Sequence, residues 1–181
     1  MKFKNVSMVL IAAMIMIFAG CKKDNNDNPP ATNSQFTYSG TSYPLSQGFL
    51  GGYGDAGNNS YGIEVVLMSS GLQIIEVGGI PDSIVGTGDV FLMNLYSASE
   101  TVVDPGEYTF AESGAAGTFE SSGVLIGYDA ATDDPLVEDI VASGTFTVTK
   151  NGDTYGFSFN LLTVLGKTIT GDYTGTLKLY S

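Results

Sequence analysis

The chain has 181 residues and a formal net charge of −12, with 7 lysines against 19 acidic residues, a single cysteine and no histidine or arginine. So acidic a surface repels phosphate, which excludes nucleic-acid binding, because that affinity comes mainly from lysine and arginine. The missing residue types also exclude Ser-His-Asp, Cys-His and zinc-thiolate sites, so we expect no cofactor and no enzyme activity.

The first 21 residues predict export. Lys2 and Lys4 precede an apolar run, Met8 to Ala19, which is shorter than the roughly 20 residues of a membrane-spanning helix but typical of a signal peptide. The ending Phe18-Ala19-Gly20-Cys21 resembles a lipobox. That resemblance implies cleavage after residue 20 and acylation of Cys21, whereas an ordinary signal peptide remains the alternative. A lipid also explains a lone thiol in an oxidising compartment.

Residues 21–34 predict a disordered tether, because Lys22 to Pro30 is polar, low in complexity and unable to bury apolar surface. The charged residues directly after Cys21 resemble the short export signals of surface lipoproteins in some Gram-negative anaerobes. The resemblance implies a lipid-anchored protein of the outer membrane that faces the cell exterior. The first expected partner of the protein is then the membrane, which it contacts through its N-terminal lipid.

Residues 35–181 predict a single all-β domain, since short apolar-alternating segments are separated by Gly, Pro, Asn and Asp without a helical period. We expect a first hairpin across Ser39-Gly40, a loop over residues 51–59 and a strand that ends near Met68. The overall prediction is about eight to ten strands in an antiparallel meander, which forms a β-barrel or a two-sheet sandwich.

Two segments are apolar on both faces of a two-residue period, Asp89 to Tyr96 and Val124 to Ile126. Such strands are either buried on both sides or face a cavity on one side. The candidate ligand-binding residues are therefore Phe91, Met93 and Leu125.

The C-terminal third predicts two successive hairpins. Asn151-Gly152 suits a type I′ turn, which would place Phe146 opposite Phe157. Val164-Leu165-Gly166 suits a three-residue loop with Gly166 in the left-handed conformation, which would place Phe157 opposite Tyr173. Both registers put the large apolar side chains on one face of the sheet.

The run Gly171 to Leu177, read as Gly-x-Tyr-x-Gly-x-Leu after an Asn-Gly hairpin, resembles the C-terminal repeat pattern of small surface lipoproteins with calycin-like or lipocalin-like barrels. The resemblance covers about the last forty residues. It implies a barrel, and it carries no binding residues to this chain.

Carboxylates are the remaining candidates for chemistry. Asp133, Asp134, Glu138 and Asp139 supply the hard oxygen ligands that Ca²⁺ prefers, although their spacing matches no EF-hand and such a run is usually a solvated loop. Glu64, Glu76 and Glu120 lie singly on predicted strands, and we interpret them as solvent-facing, because a glycosidase needs two carboxylates in a fixed pair.

The sequence thus predicts a cell-envelope lipoprotein that acts as a non-catalytic binding module for a small apolar ligand, a glycan or a partner protein. The alternative is a structural or assembly subunit of the outer membrane or of a surface appendage. Strand edges that polymerise would distinguish the second hypothesis from the first.

Overall fold

The computed structural model of the chain describes residues 34–78 and 80–180. Within this part of the chain there are twelve strands, and no helix is long and apolar enough to cross a membrane. The strands, numbered in chain order, are β1 (Gln35–Tyr38), β2 (Thr41–Pro44), β3 (Gln47–Gly57), β4 (Ser60–Met68), β5 (Leu72–Val77), β6 (Ile80–Ser97), β7 (Gly106–Phe110), β8 (Thr118–Asp129), β9 (Val137–Asn151), β10 (Thr154–Thr163), β11 (Thr168–Thr176) and β12 (Lys178–Tyr180). The predicted all-β class is confirmed.

The strands form one curled sheet, a half-barrel, in the order β12-β3-β4-β6-β8-β7-β9-β10-β11-β1-β2, with β5 paired to β6 alone among the described strands. Most neighbours are antiparallel, but β12 with β3 and β7 with β8 are parallel. The sheet is therefore mixed, where the sequence predicted an antiparallel meander, and it has more strands than predicted. The short C-terminal β12 follows β11 after one residue and pairs with β3, which makes one of the two parallel pairs.

The concave side of the half-barrel is filled by aromatic side chains. The ring of Phe91 lies 4.4 Å from that of Phe159 and 5.9 Å from that of Phe146, measured between centroids. Phe119 meets Phe146 edge to face at 4.5 Å, a favourable geometry for aromatic quadrupoles. The interior is consequently a packed core.

A second apolar cluster lies on the opposite, convex face, and we call it the convex-face cluster. Its buried members are Phe49, Val66, Met68, Leu72, Val90 and Tyr128, with Ile74, Ile84, Leu92, Leu125 and Ala130 packed against them. The hairpin formed by β5 and the first part of β6 covers this cluster, because Leu72, Ile74 and Ile84 belong to it. Glu76 of this hairpin pairs with Lys178 of β12, which ties the hairpin to the main sheet.

The hairpin between β9 and β10 differs from its predicted register. Asn151 pairs with Thr154, so the two-residue turn is Gly152-Asp153, and Phe146 lies opposite Phe159, not opposite Phe157. Gly152 has a φ of 59° at the first central position, where a type II′ turn needs glycine, while Asn151 stays in the strand. The pairing shifts by two residues, so the apolar side chains keep their face.

The following hairpin is as predicted. Thr163 donates to the carbonyl of Lys167 at 2.9 Å around the three-residue loop, and Gly166 has a φ of 71°. Phe157 pairs with Tyr173. Both hairpins thus turn one apolar face towards the interior.

The predicted loop over residues 51–59 is wrong. Residues 47–57 form β3, which pairs with β4 around Asn58-Asn59. Both asparagines have a φ of 55°, the positive values that a type I′ turn requires at its two central positions. The glycines at 51, 52, 54 and 57 had suggested a flexible loop, but pairing with β4 supplies the backbone hydrogen bonds that hold them in a strand.

Candidate functional site

A cavity of about 220 Å³ lies on the convex face, between the main sheet and the β5–β6 hairpin. Its apolar lining includes Val66, Met68, Ile84, Val90, Leu92 and Leu125. Its polar lining includes Glu64, Ser121, Ser122, Tyr128 and Glu138. A mostly apolar concavity with a few convergent polar groups is the usual form of a small-molecule site.

The floor of the cavity is apolar because β4 and β6 are apolar on both faces. Along β4, Val65 and Leu67 point into the interior core, while Val66 and Met68 belong to the convex-face cluster. Leu92 is the partner of Val66 in the sheet and extends the same floor along β6. Strands with two apolar faces must be covered on both sides, and the β5–β6 hairpin supplies the second cover.

Two β-bulges in β8 shape the floor. Leu92 pairs with Gly123 but Asn94 pairs with Glu120, and Gly88 pairs with Tyr128 but Val90 pairs with Leu125. In each case one extra residue of β8 reverses which side chains face outward. Tyr128 therefore joins Leu125 on the convex side although the two residues are three positions apart.

Two side chains stabilise the bulges, Ser122 of β8 and Asp89 of β6. The buried Ser122 accepts a hydrogen bond from the backbone N–H of Asn94 at 3.1 Å. Asp89 accepts one from the N–H of Gly127 at 2.9 Å. Both contacts hold β8 against β6 where the regular ladder is interrupted, so the floor has a fixed shape.

Glu64 is the polar residue that distinguishes this site, since its side chain is only 5% exposed. Removal from water raises the pKa of its carboxyl from 4.5 to about 7, and the nearby Tyr53 hydroxyl opposes part of that rise. The interpretation of Glu64 as solvent-facing is thus wrong. The signal available in the sequence was a single carboxylate inside the otherwise apolar run Ile63 to Met68.

A polar band continues from Glu64 along the same face. Tyr53 donates to Oδ1 of Asn94 at 2.5 Å, and Tyr96 donates to Glu120. The pKa of Tyr96 is raised to about 12, mainly by burial and to a smaller extent by the hydrogen bond to Glu120 and the charge of that residue. Burial and then the charge of Glu64 also raise the pKa of Tyr53. These hydroxyls therefore stay protonated and serve as hydrogen-bond donors at neutral pH.

The candidate ligand-binding residues are separated by the sheet. Phe91 and Met93 are 0% exposed and lie in the interior core, where the rings of the aromatic cluster fill the space around Phe91. Leu125 lines the convex cavity. The cavity and these two interior residues are thus on opposite sides of the same strands.

The four candidate metal ligands do not converge on one point, although burial and, after it, the charge of the nearby Asp133 raise the pKa of the Glu138 carboxyl. Asp133 accepts a hydrogen bond from Tyr128 at 3.0 Å in the turn before β9, where Asp134 bridges to Asp129 through the backbone. Glu138 lines the cavity. Asp139, 2% exposed, instead accepts from Tyr38 on the concave side. The described part of the chain holds no group of three or more residues suited to a metal ion.

Cys21, the predicted lipidation site, lies outside the described residues, as do residues 1–33 of the predicted signal peptide and tether. Ser34 is already part of the domain, because it is buried and its hydroxyl accepts from the N–H of Thr174 at 2.8 Å.

Comparison of the chain with family models, with curated proteins and with solved structures finds no match.

Proposed function

We propose that the protein is a non-catalytic binding module that holds a small apolar ligand in the convex-face cavity. The observation that supports this most directly is the cavity itself, a concavity of about 220 Å³ with an apolar floor on an otherwise acidic protein. Each methylene group buried there contributes about 0.8 kcal/mol. An eight-carbon chain would thus gain roughly 6 kcal/mol before the cost of association.

The cellular setting of this function follows from the N-terminal sequence. Cleavage after residue 20 and acylation of Cys21 would anchor the domain to the outer membrane, with the export signal after Cys21 directing it to the cell surface. The curled all-β sheet agrees with the resemblance to calycin-like surface lipoproteins. In our proposal the ligand nevertheless binds outside the half-barrel, because aromatic rings fill the inside.

Native mass spectrometry of the full chain tests this function, with denaturing spectra for comparison. We expect an additional non-covalent mass in the native spectrum, and its loss in Leu92→Trp, which places an indole in the cavity. Leu162→Trp is the matched control, because Leu162 is 44% exposed on β10. An additional mass that both variants retain would show that the ligand does not occupy this cavity.

A role as a structural or assembly subunit is the second candidate, and one surface favours it. Ile75, Val77 and Val85 on the β5–β6 hairpin are 40%, 64% and 42% exposed. A strand edge with apolar side chains is a template for pairing with another chain. Analytical ultracentrifugation of the full chain over a wide concentration range separates the two functions. Growth of the particle that Val77→Lys abolishes would favour assembly, whereas a constant monomer would favour the binding module.

A further inference from the structure

The buried carboxyl at the end of the apolar floor defines the chemical class of the ligand. We propose that the convex-face cavity takes a small amphiphile that carries a protonated amine, with its apolar chain on the floor and its ammonium group against Glu64. This inference rests on the proposed binding function and adds the ligand class to it. It stands on the position of Glu64, on the charges of the lining and on the donors around that carboxyl.

Glu64 lies where the side chains of the cavity floor change from apolar to polar. Within β4 it precedes Val66 by two residues, so both side chains point to the convex side. Its sheet partner is Asn94, whereas the partner of Val66 is Leu92. On β4 and β6 the convex side is therefore polar at Glu64 and Asn94 and apolar at Val66 and Leu92, so Glu64 marks the boundary. An amphiphile matches such a surface because its head and its chain need different surroundings.

The charges that line the cavity have one sign. Among the described residues its ionisable lining consists of Glu64, Glu138, Asp139 and Tyr128, without a lysine. Asp139 is engaged by Tyr38 on the other side of the sheet. The ion pair between Lys178 of β12 and Glu76 of the hairpin does not line the cavity. A cationic head group complements this lining, and an anionic one is repelled by it.

Glu64 rather than Glu138 is the partner of the ammonium group. Glu64 is on β4 and Glu138 is on β9, and β6 and β8 lie between them in the sheet. Three strand spacings of about 4.8 Å separate them by roughly 14 Å across the sheet. Glu64 is level with Glu120 of β8 and Glu138 with Leu125, so they are also apart along the strands, and one small head group reaches only one of them. Glu64 is the more buried, and a buried ion pair is screened less by salt.

The groups beside Glu64 are neutral: Tyr53 from β3 and its sheet partner Asn94 from β6. Further along the same face, Tyr96 of β6 donates to Glu120 of β8. None of these carries a positive charge, so a bound ammonium would supply the missing counter-ion. A cation beside a buried carboxylate favours its ionised form. Ligand binding is therefore coupled to deprotonation of Glu64.

Calorimetric titration of the full chain with three eight-carbon probes tests the ligand class. The probes are n-octylamine, n-octanol and n-octanoate, each below its micellar concentration and at moderate salt. We expect octylamine to bind at least tenfold more tightly than octanol, and octanoate to bind most weakly, because a hydrogen bond to a charged partner is the stronger kind. Glu64→Gln should reduce the amine preference to within about twofold while octanol still binds.

The controls distinguish failure of this inference from failure of the proposed function. Glu107→Gln removes an exposed carboxylate of β7 and should keep the full amine preference, whereas Leu92→Trp should weaken all three probes. Equal binding of octylamine and octanol, or a preference that survives in Glu64→Gln, would overturn the ligand class alone. If no probe responds to Leu92→Trp, the cavity is not a binding site and both proposals are wrong.

Discussion

The hydroxyl of Tyr38 donates a hydrogen bond to Oδ2 of Asp139 at 2.9 Å, across 101 positions of the sequence. The second carboxylate oxygen of Asp139 accepts from the N–H of Ile140 at 3.0 Å. Both side chains are buried, so this contact joins β1 to β9 inside the half-barrel. Burial, together with the hydrogen bond to Asp139, raises the pKa of Tyr38 to about 12.

Tyr38→Phe should therefore destabilise the fold. The substitution leaves one oxygen of a buried carboxylate without its donor, which costs about 1 to 3 kcal/mol of unfolding free energy. Urea denaturation at pH 7 measures the loss. In a double-mutant cycle with Asp139→Asn, the two losses should not add, because the residues share one contact. Strict additivity would mean that the two side chains do not interact with each other.

Glu64 should give the protein an unusual dependence of stability on pH. Burial raises its pKa from 4.5 to about 7 in the folded protein, so the protonated form is favoured there. The contribution of this group is fully present below pH 4.5 and is lost as the pH rises through 7. For a carboxyl this buried, the difference between the folded and unfolded pKa values corresponds to about 3 kcal/mol of unfolding free energy.

Urea denaturation of the wild type and of Glu64→Gln at pH 5 and pH 8 isolates this contribution, since glutamine keeps the shape and cannot ionise. Relative to the variant, the wild type should lose most of those roughly 3 kcal/mol between the two pH values. Glu107→Gln should show the wild-type dependence. If all three proteins change in parallel, Glu64 ionises in the folded state as readily as an exposed carboxyl.

Phe157→Ala should cost about 3 to 5 kcal/mol, because it removes a buried ring and leaves a cavity. The ring is 2% exposed and lies between Tyr155, at a centroid distance of 6.0 Å, and Tyr173, at 6.4 Å. Leu162→Ala on the same strand is the control, with an expected loss below about 1 kcal/mol at a half-exposed position. An unchanged thermal midpoint in Phe157→Ala would contradict the interior placement of this strand face.

Gly71→Ala should displace the hairpin that covers the cavity. A Cβ at this position would lie 2.1 Å from the carbonyl oxygen of Thr87, so the backbone must move. Overpacking of this kind costs about 1 to 3 kcal/mol, or roughly 3 to 10 °C in thermal midpoint. The binding of n-octanol should weaken at the same time, because Ile84 moves with the hairpin.

The exposed Ser70→Ala, at the neighbouring position, is the control for this prediction, and it should leave both the midpoint and octanol binding unchanged. Weaker octanol binding without a lower midpoint would show that the hairpin moves freely over the sheet. Normal octanol binding in Gly71→Ala would show that the hairpin is not the cover of the site.

The sequence alone determined the all-β class and most of the strand faces, because alternation with a period of two depends only on neighbouring residues. The three-residue loop before β11 could also be predicted from the sequence, since Gly166 supplies the positive φ that the loop requires. The turn before β10 was misplaced by one residue. Asn151 and Gly152 both tolerate positive φ, and only the pairing of Asn151 with Thr154 decided between the two possible turns.

The tertiary structure decided which face of the doubly apolar strands carries the site. Alternation placed Phe91 and Met93 on one face and Leu92 on the other, but both sets are apolar, and local pattern cannot tell a packed interior from a lined cavity. The aromatic rings of distant strands fill the concave side, and the hairpin of β5 and β6 folds back over the convex side. The burial of Glu64 follows from these same long-range contacts, because desolvation depends on residues far away in the chain.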